Sequence, residues 1–476
     1  RAIRIHLVFW PLCRIYQPFI AEIDLAGTAP FIQLAVTNRN LFVDLSHLRA
    51  AWALVVDGTI VLQGNLTVAS VRPQQVREFR VPVNAQDVCS TRAIFTCTLD
   101  ISFLRVRASQ SLPVAHEEGW EQFELPWRRS PETKHPLEPE PISSSSPSLV
   151  HDEAGSALRV SGDGFAAIFN KSNGRLQAWV VGGEELLHEP VAPSCWRPPT
   201  DNDLGADHGW SRYKSHEREW LSFQRSPVLL QKATMERRTD SIRWCSELVV
   251  AASTSTEPHT GPRFRCCYTV MVAGIIIVEA ELLPVAAPMP DLPRFGMQFA
   301  LRDSFEDVGW LGRGPHENYW DRKMGARIGQ FHSSILNQTV PYIRPQENGY
   351  KEDVCFAYIM PRGPSRGYRR SVLILGETTF GFSAHHFSDS DFGVGGGYQR
   401  HTSDLRPRPQ TWLHVDYRQQ GVGGIDSWGF NPSPLSKYSL PYAPLHLTFT
   451  LSTFDSNQLN PKSWAADVKR YLNKRA

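Results

Sequence analysis

The chain has 476 residues and a formal net charge of +2, with 41% hydrophobic and 21% charged residues. This balanced charge, without a run of basic residues, argues against nucleic-acid binding, and no apolar stretch reaches the ~20 residues that a membrane-spanning helix needs. A chain of this length and composition is expected to form two or three domains with hydrophobic cores.

Apolar and polar residues alternate along much of the chain, which is typical of half-buried β-strands. Residues 52–64 form two apolar runs joined by Asp57-Gly58, and residues 169–181 repeat the pattern around Asn173-Gly174. Both dipeptides predict hairpin turns. Residues 270–283 are interpreted as one buried strand because β-branched residues are frequent there, and residues 445–454 alternate throughout.

Few segments predict helices. Residues 208–221 form one candidate, and residues 463–474 form a better one, with Ser463 as its expected N-cap. With 35 prolines and 33 glycines as turn formers, the chain is predicted to be all-β, an immunoglobulin-like β-sandwich followed by a larger β-sandwich.

A Ser/Pro-rich segment divides the chain, because it has almost no apolar residue and cannot contribute to a core. The predicted organisation is a first sandwich at residues 15–126, a linker at 127–148, the large sandwich at 149–456 and a helical extension at 457–476. The eight cysteines form no CxxC pair and are irregularly spaced. They predict no disulfide framework and a reducing, cytoplasmic location.

Two segments of the second domain are dense in polar residues. Residues 309–322 contain Glu317-Asn318, and residues 342–354 contain Glu347-Asn348. Two glutamates are the acid and the nucleophile of a glycosidase when they lie close together across a sugar. The favoured interpretation is structural: each Glu-Asn pair holds an irregular loop by bonding backbone amides.

A third polar segment, residues 196–210, contains Asp201, Asn202 and Asp203, with Gly205 shortly after. Such an oxygen-rich run is typical of a cation site, but the further ligands of a calcium loop are missing. A turn followed by a helix cap is the favoured interpretation.

Fourteen tryptophans are many for this length. Trp428 stands out because Gly423, Gly424 and Gly429 surround it and leave it nothing to pack against. Because the apolar faces of sugar rings stack on aromatic rings, Trp428 is a candidate substrate-binding residue.

The motifs "WRPPTDNDLG", "WLGRGPHENYWDR", "YIRPQENGYKEDV", "FSAHHFSDSD" and "TWLHVDYRQQGVGGIDSWG" together resemble the C-terminal part of the large β-galactosidases of glycoside hydrolase family 2. The resemblance covers about residues 15 to 455. It implies an immunoglobulin-like domain followed by a supersandwich similar to galactose mutarotase. The long linker indicates a eukaryotic, fungal source.

In this family a TIM barrel that precedes these domains carries the two catalytic glutamates and the magnesium and sodium ligands. The chain has no βα repeats, so the resemblance assigns it no catalytic residue and no metal, and it is expected to be inactive alone. Its expected partners are a β-galactoside or galactose, a barrel-bearing portion in cis or in trans, and a second copy of the chain.

What the resemblance does carry over is the substrate-stacking role of Trp428, with Asp426 and Ser427 beside it in the same loop. The segment with Asp201, Asn202, Asp203 and Gly205 is expected at the edge of the same site. The alternative is a carbohydrate-binding or aldose-mutarotase-like module, which needs a paired histidine and glutamate. Its candidate histidines are His385, His386, His401 and His414.

Overall fold

The computed structural model describes residues 14–25, 31–83, 95–126, 148–204, 220–223, 225–251, 261–285, 289–362, 370–393, 401–424 and 433–475. Within them the chain forms two compact units. One holds the described residues up to Pro126 together with Arg313–Pro315 and Met324–Gln330, and the other holds the rest.

The first unit contains seven strands. They are β1 (Phe19–Asp24), β2 (Ile32–Asn38), β3 (Leu48–Val56), β4 (Thr59–Leu66), β5 (Val76–Val81), β6 (Cys97–Arg105) and β7 (Glu117–Glu124). They form a three-stranded sheet, β1-β2-β5, and a four-stranded sheet, β4-β3-β6-β7. Strict alternation of buried and half-buried residues along β2 and β3 gives each strand one face toward a shared apolar core.

The predicted hairpin at Asp57-Gly58 is confirmed. Asp57 and Gly58 both have positive φ, 47° and 75°, and they join β3 to β4 in antiparallel register. A type I′ turn needs this conformation at both central residues, and glycine adopts it without strain.

The described residues form seventeen further strands, nearly all paired antiparallel in one long curled sheet of the second unit. Two of these strands have residues in the first unit, at 313–314 and 327–330. They are β8 (Val150–Ala154), β9 (Ala157–Gly162), β10 (Phe165–Asn170), β11 (Leu176–Val181), β12 (Glu184–Glu185), β13 (Leu187–Ser194), β14 (Val228–Arg237), β15 (Ser241–Val250), β16 (Arg263–Met271), β17 (Ile276–Leu283), β18 (Arg294–Leu301), β19 (Phe305–Gly314), β20 (Arg327–Ser334), β21 (Lys351–Pro361), β22 (Arg370–His385), β23 (Thr411–Gln419) and β24 (Leu445–Asp455). The all-β prediction is therefore confirmed.

Strand β22 is the longest, and it changes neighbour along its length. Its first half pairs with β24 and its second half with β23, while β21 pairs along its other edge. Through these pairings the sheet continues from β13 and β18 on one side to β17 and β16 on the other.

The interpretation of residues 270–283 as one strand is wrong. The chain turns between Met271 and Ile276, where Gly274 has a φ of 73°, and it returns as β17 beside β16. The apolar run is continuous because the turn itself carries few polar residues, so periodicity alone did not show the reversal.

Described helices are short apart from the last. They are α1 (Asp201–Leu204), α2 (Asp389–Phe392) and α3 (Pro461–Asn473), with 3₁₀ turns at Lys323–Gly325, Ile335–Gln338, Thr402–Asp404 and Ser436–Tyr438. Helix α3 begins earlier than predicted. The side chain of Asn460, not Ser463, caps it by accepting from the Lys462 amide. In the ranges that the structure covers, no helix has the length and apolar character to cross a bilayer.

The irregular spacing of the cysteines predicts no disulfide framework, but the structure contains disulfide bonds. Cys245 of β15 and Cys267 of β16 lie opposite each other in register and form a disulfide. The adjacent Cys266 is an unpaired, buried thiol on the other face of β16. Cys97 is also disulfide-bonded. Sequence spacing missed the first pair because strand register, rather than distance along the chain, brings the two residues together.

Candidate functional site

Strands β18, β23 and the second half of β22 lie side by side with one apolar and one polar face. On β23, Leu413 and Val415 belong to the core cluster, so the residues between them face the opposite side. Cross-strand register places Gln298 beside His414 and His414 beside Ser383. We call this side the polar face; its residues are Arg294, Gly296, Gln298, Ala300, Gly381, Ser383, His385, Trp412, His414 and Asp416.

Arg294 is the fully buried centre of the polar face. Its Nη2 donates to Glu347 Oε2 at 3.0 Å, its Nε lies 3.0 Å from Asp416 Oδ2, and its Nη1 lies 2.9 Å from His414 Nδ1. His414 Nε2 lies 3.0 Å from Asp389 Oδ1. Because a carboxylate only accepts, the histidine proton belongs on Nε2, which leaves Nδ1 to accept from Arg294. Several counter-charges thus offset the desolvation of one guanidinium.

Two glycines make room for this cluster. A Cβ on Gly296 would lie 2.1 Å from Asp416 Oδ1, and a Cβ on Gly381 would lie 1.7 Å from Tyr350 Oη. Burial raises the pKa of Asp416 to about 6, against the opposing effect of Arg294. Above that pH the carboxylate is ionised and serves as a counter-ion for Arg294.

A second buried arginine joins the "TDND" segment to the end of β23. The Nε and Nη2 of Arg197 bind the two oxygens of Asp203 at 3.1 and 2.9 Å. Its Nη1 donates to the carbonyl of Gln420 at 2.6 Å and its Nη2 to that of Gly421 at 3.1 Å. One planar side chain therefore fixes both segments at once.

The "TDND" segment is a helix cap, as the favoured interpretation predicts. Asp203 accepts from the Thr200 amide at 2.9 Å, and Thr200 Oγ1 accepts from the Asp203 amide at 3.1 Å, at the start of α1. This reciprocal pair is a capping box. The Asp201 carboxylate accepts from the Nε of Arg344 at 2.8 Å and from the side-chain Nε2 of Gln346 at 3.0 Å.

The aspartates of this segment therefore do not fit a cation site, because arginines already bind both carboxylates. Among the described residues, no three or more His, Cys, Asp or Glu side chains are arranged to hold a metal ion.

Asn202 points to the glycine-rich loop. Its Nδ2 donates to the Val422 carbonyl at 2.8 Å. The amide of Gly423 donates to Asp321 Oδ2 at 2.7 Å, and that of Gly421 to the Tyr438 carbonyl at 2.9 Å. Three separate segments thus hold the backbone of residues 421–423, which we call the loop base.

The candidate residues Gly205, Asp426, Ser427 and Trp428 lie outside the described residues.

The two predicted glutamates hold loops, as the structural interpretation expects. Glu317 accepts from Arg322 Nη2 at 2.6 Å and from the Gly349 amide at 2.8 Å. Glu347 binds Arg294, and its Oε1 accepts from the side-chain amide of Gln419 at 3.1 Å. The asparagine after each glutamate accepts from a further backbone amide. These carboxylates are bound by protein donors.

The four candidate histidines also contact other groups of the protein. Burial lowers the pKa of His385 to about 3, and its Nε2 contacts the Asn348 carbonyl at 3.0 Å. His386 contacts the Gln410 carbonyl at 3.0 Å, and His401 caps the turn at Thr402–Asp404. His414 belongs to the Arg294 cluster.

Sequence reasoning did not identify Arg294, Arg197, Asp321 or Asp416. One signal was present: Arg294 is the only charged residue in the apolar run "RFGMQFAL". A charge in an otherwise apolar strand is expected to have a buried partner. No comparable signal marked Arg197 or Asp321, whose partners Gln420 and Gly423 lie over 100 residues away along the chain.

Comparison with known proteins matches both units. Residues 161–451 match the family model "Beta galactosidase small chain", and residues 34–126 match "Beta-galactosidase, domain 4". A β-galactosidase of Priestia megaterium is 31% identical over 405 residues, covering 84% of this chain and 36% of the relative. β-Galactosidase 2 of Enterobacter cloacae is 26% identical over 432 residues, covering 90% of this chain and 38% of the relative.

These relatives are bacterial, so they do not support the expectation of a fungal source. The chain spans little more than a third of their length. Among solved structures, galactose 1-epimerase from Lactobacillus acidophilus NCFM is 7% identical with a TM-score of 0.30. That alignment covers 65% of this chain and 98% of the epimerase. The small-chain family model matches more than half of the residues of this chain, so the chain belongs to the β-galactosidase small-chain family.

Proposed function

We propose that the chain is the C-terminal component of a β-galactosidase that hydrolyses terminal β-D-galactosides, such as lactose, with retention of configuration. A barrel-bearing portion, in cis or in trans, supplies the two catalytic glutamates and the magnesium and sodium ligands. Two findings support this assignment: the match to the small-chain family, and the fact that this chain covers only 36% of the length of the Priestia β-galactosidase.

The observation that carries the proposal is the anchoring of the loop base. Arg197, Asn202 and Asp321 hold the backbone of residues 421–423 through side chains that come from two distant segments. A loop that presents an aromatic side chain to a substrate gains from a fixed base, because less freedom is lost on binding. In this proposal Trp428 stacks on the galactose ring, and the three anchors are positioning residues.

The chain alone is proposed to be inactive. A retaining glycosidase needs two carboxyl groups about 5–5.5 Å apart and able to reach the sugar. Glu317 and Glu347 are instead bound by Arg322 and Arg294. The purified chain is therefore expected to release no product from a chromogenic β-galactoside. Activity that persists through successive purification steps and disappears in Glu317→Gln or Glu347→Gln would contradict this.

The stacking role is tested in the assembled enzyme, with the barrel-bearing portion present. Trp428→Ala is expected to lower kcat/KM about tenfold or more, because an aromatic contact contributes about 0.5–1.5 kcal/mol beyond its buried area. Trp428→Phe keeps a stacking face and is expected to retain more activity. Phe42→Ala removes an aromatic side chain that is 89% exposed in the first unit, and it serves as the control. Equal kinetics for wild type and Trp428→Ala would refute the role.

The anchors are tested with Asn202→Ala, which removes the bond to the Val422 carbonyl. A positioning role predicts a higher KM and a lower kcat at an unchanged melting temperature. A purely structural role predicts the reverse, a lower melting temperature with unchanged constants for the folded enzyme.

A further inference from the structure

A cavity of about 310 Å³ lies over the polar face, between strands β13, β18 and β23 and the helix α2. Register places Glu189 beside Ala300 and Ala300 beside Trp412, and it places Ala192 beside Gln298. These neighbouring strands therefore supply the floor of the cavity. Pockets that hold small ligands run from about 300 to 1,000 Å³, so this one suits a ligand of one ring or little more.

Four side chains that line the cavity, those of Arg175, Gln298, Glu189 and Trp412, form no hydrogen bond within the described residues, whereas Ser388, Ser390 and Asp389 do. Arg175 is half-buried, and among the described residues its guanidinium forms no hydrogen bond or ion pair; its Nε is buried. The side chains of Gln298, Glu189 and Trp412 likewise form no hydrogen bond within the part of the chain that the structure covers. Arg175, Gln298 and Trp412 are half-buried, whereas Glu189 is exposed to solvent. Buried polar groups normally bond to protein or to ordered water. Donors and acceptors are thus left available to a ligand.

The charges around the cavity balance. Arg175 and Arg225 oppose Glu189 and Asp389. A phosphate or carboxylate ligand would meet two carboxylates, so a neutral ligand with both donors and acceptors fits better. Asp389 is already fixed by His414, so this wall is preorganised.

Aromatic rings complete the wall. Trp196 and Trp412 both line the cavity. His188 packs nearly perpendicular to Trp412 with ring centroids 6.1 Å apart, and the Arg408 guanidinium lies 5.4 Å from the Trp412 ring centroid. Indole faces suit the apolar C–H face of a sugar ring, while amide, guanidinium and carboxylate groups suit its hydroxyls. A second cavity, of about 300 Å³, shares Arg175, Ala192 and Gln298 with the first and extends the available space.

We propose that this cavity is a binding site for a neutral saccharide of one or two rings, built entirely from residues of the second unit. Gln298 and Arg175 donate to hydroxyls, Glu189 accepts from them, and Trp412 contacts the ring. The site performs no chemistry in this proposal. It requires neither the barrel nor β-galactoside hydrolysis, so it is independent of the proposed function.

The test uses the purified full chain and measures binding of galactose, glucose and lactose by ligand-observed NMR and calorimetry. Binding is expected with a Kd on the order of 1 mM, a weak affinity. Gln298→Leu and Arg175→Met each remove hydrogen-bonding groups while keeping most of the volume, and each is expected to weaken binding at least tenfold. Arg238→Met alters an exposed arginine elsewhere in the same unit and is the matched control.

Three outcomes would overturn the proposal. The first is that no sugar binds up to about 100 mM. The second is that Gln298→Leu and Arg175→Met leave sugar binding unchanged. The third is that Trp428→Ala abolishes sugar binding, because the ligand would then bind at the glycine-rich loop. Inorganic phosphate serves as the competing probe. Binding of phosphate that depends on Arg175, without sugar binding, would show an anion site instead. Unchanged melting temperatures of the variants would establish that lost binding does not reflect unfolding.

Discussion

Arg294 shows how much the polar face depends on single residues. Burial opposes its charge, but Asp416, Glu347 and Asp389 together raise the pKa of the guanidinium, so it stays protonated. Each of these carboxylates also needs the arginine, because an unpaired charge in this setting would be poorly solvated. The cluster is therefore stable only when it is complete.

Arg294→Met is expected to lower the free energy of unfolding by about 3–5 kcal/mol, because it leaves Asp416 and Glu347 as buried carboxylates without their cation. Urea denaturation followed by tryptophan fluorescence measures the change. The control is Arg238→Met, whose exposed pair with Glu236 is expected to make no measurable contribution. Equal midpoints for Arg294→Met and wild type would show that the cluster adds nothing to stability.

Glu352 predicts a pH dependence of stability. Burial raises its pKa to about 8 from an ordinary value of 4.5. A raised pKa means that the folded state binds the proton more tightly, so the stabilisation is fully present below pH 4.5 and is lost as pH rises through 8. Glu352→Gln stays neutral at every pH and should not show this loss.

The stability of Glu352→Gln relative to wild type is therefore expected to rise between pH 4.5 and 8, by more than ~1 kcal/mol, and to level off above pH 8. Denaturation midpoints at several pH values measure the difference. Glu153→Gln is the control: Glu153 is exposed, and its bond to Lys171 lowers the pKa. A constant difference between Glu352→Gln and wild type across this range would contradict the prediction.

At the scale of elements, β22 is the strand on which the polar face depends most. It joins β24 to β23, and Gly381 marks the point where Tyr350 crosses over it. Its two runs of consecutive buried residues indicate a strand that is covered on both faces. The sequence does not show that a tyrosine ring lies against one glycine. Close approach of another chain segment is a common reason for glycine inside a strand.

Gly381→Ala is expected to destabilise the protein by about 1–3 kcal/mol, because the added methyl group overlaps Tyr350 Oη and the ring must move. Ser371→Ala is the control on the same strand. Ser371 is fully buried, and its Oγ has no hydrogen-bond partner among the described residues, so its removal should leave stability unchanged or raise it. Thermal melts of both variants give the comparison, and an unchanged melt for Gly381→Ala would count against the packing argument.

At the scale of the whole molecule, the first unit includes residues that are distant in the chain. Gln122 of β7 donates to the Ile328 carbonyl at 2.9 Å and accepts from its amide at 2.7 Å. The side-chain amide of Gln122 thus pairs with the backbone of Ile328 as a neighbouring strand would. The two residues are 206 positions apart, so this unit is completed late along the chain.

Gln122→Ala removes both bonds to Ile328 and also the contact of Gln122 Nε2 with the Asp100 carboxylate at 3.0 Å. It is expected to cost the first unit about 1–3 kcal/mol. Hydrogen exchange measured by mass spectrometry reads the two units separately, so β3 and β6 should exchange faster while β16 and β17 do not change. Gln33→Ala, which removes an exposed bond to Glu78, is the control. Faster exchange throughout both units would mean that Gln122 acts on the whole chain rather than on its own unit.

The period-two pattern, the Asp-Gly turn and the long motifs were enough to predict an all-β chain and its β-galactosidase family. They succeeded because strand alternation and tight turns depend on neighbouring residues, and because a motif is a local property. The domain limits, the cytoplasmic location, oligomer formation and the stacking role of Trp428 stay predictions.

The tertiary structure alone decided which distant residues meet. Arg294 with Glu347 and Asp416, Arg197 with Gly421, and Cys245 with Cys267 are pairs that depend on strand register and loop path. No local pattern encodes these contacts, since register is set by how whole strands bury their apolar faces. For the same reason, the cavity that Glu189, Gln298 and Trp412 line became visible only when β13, β18 and β23 were placed side by side.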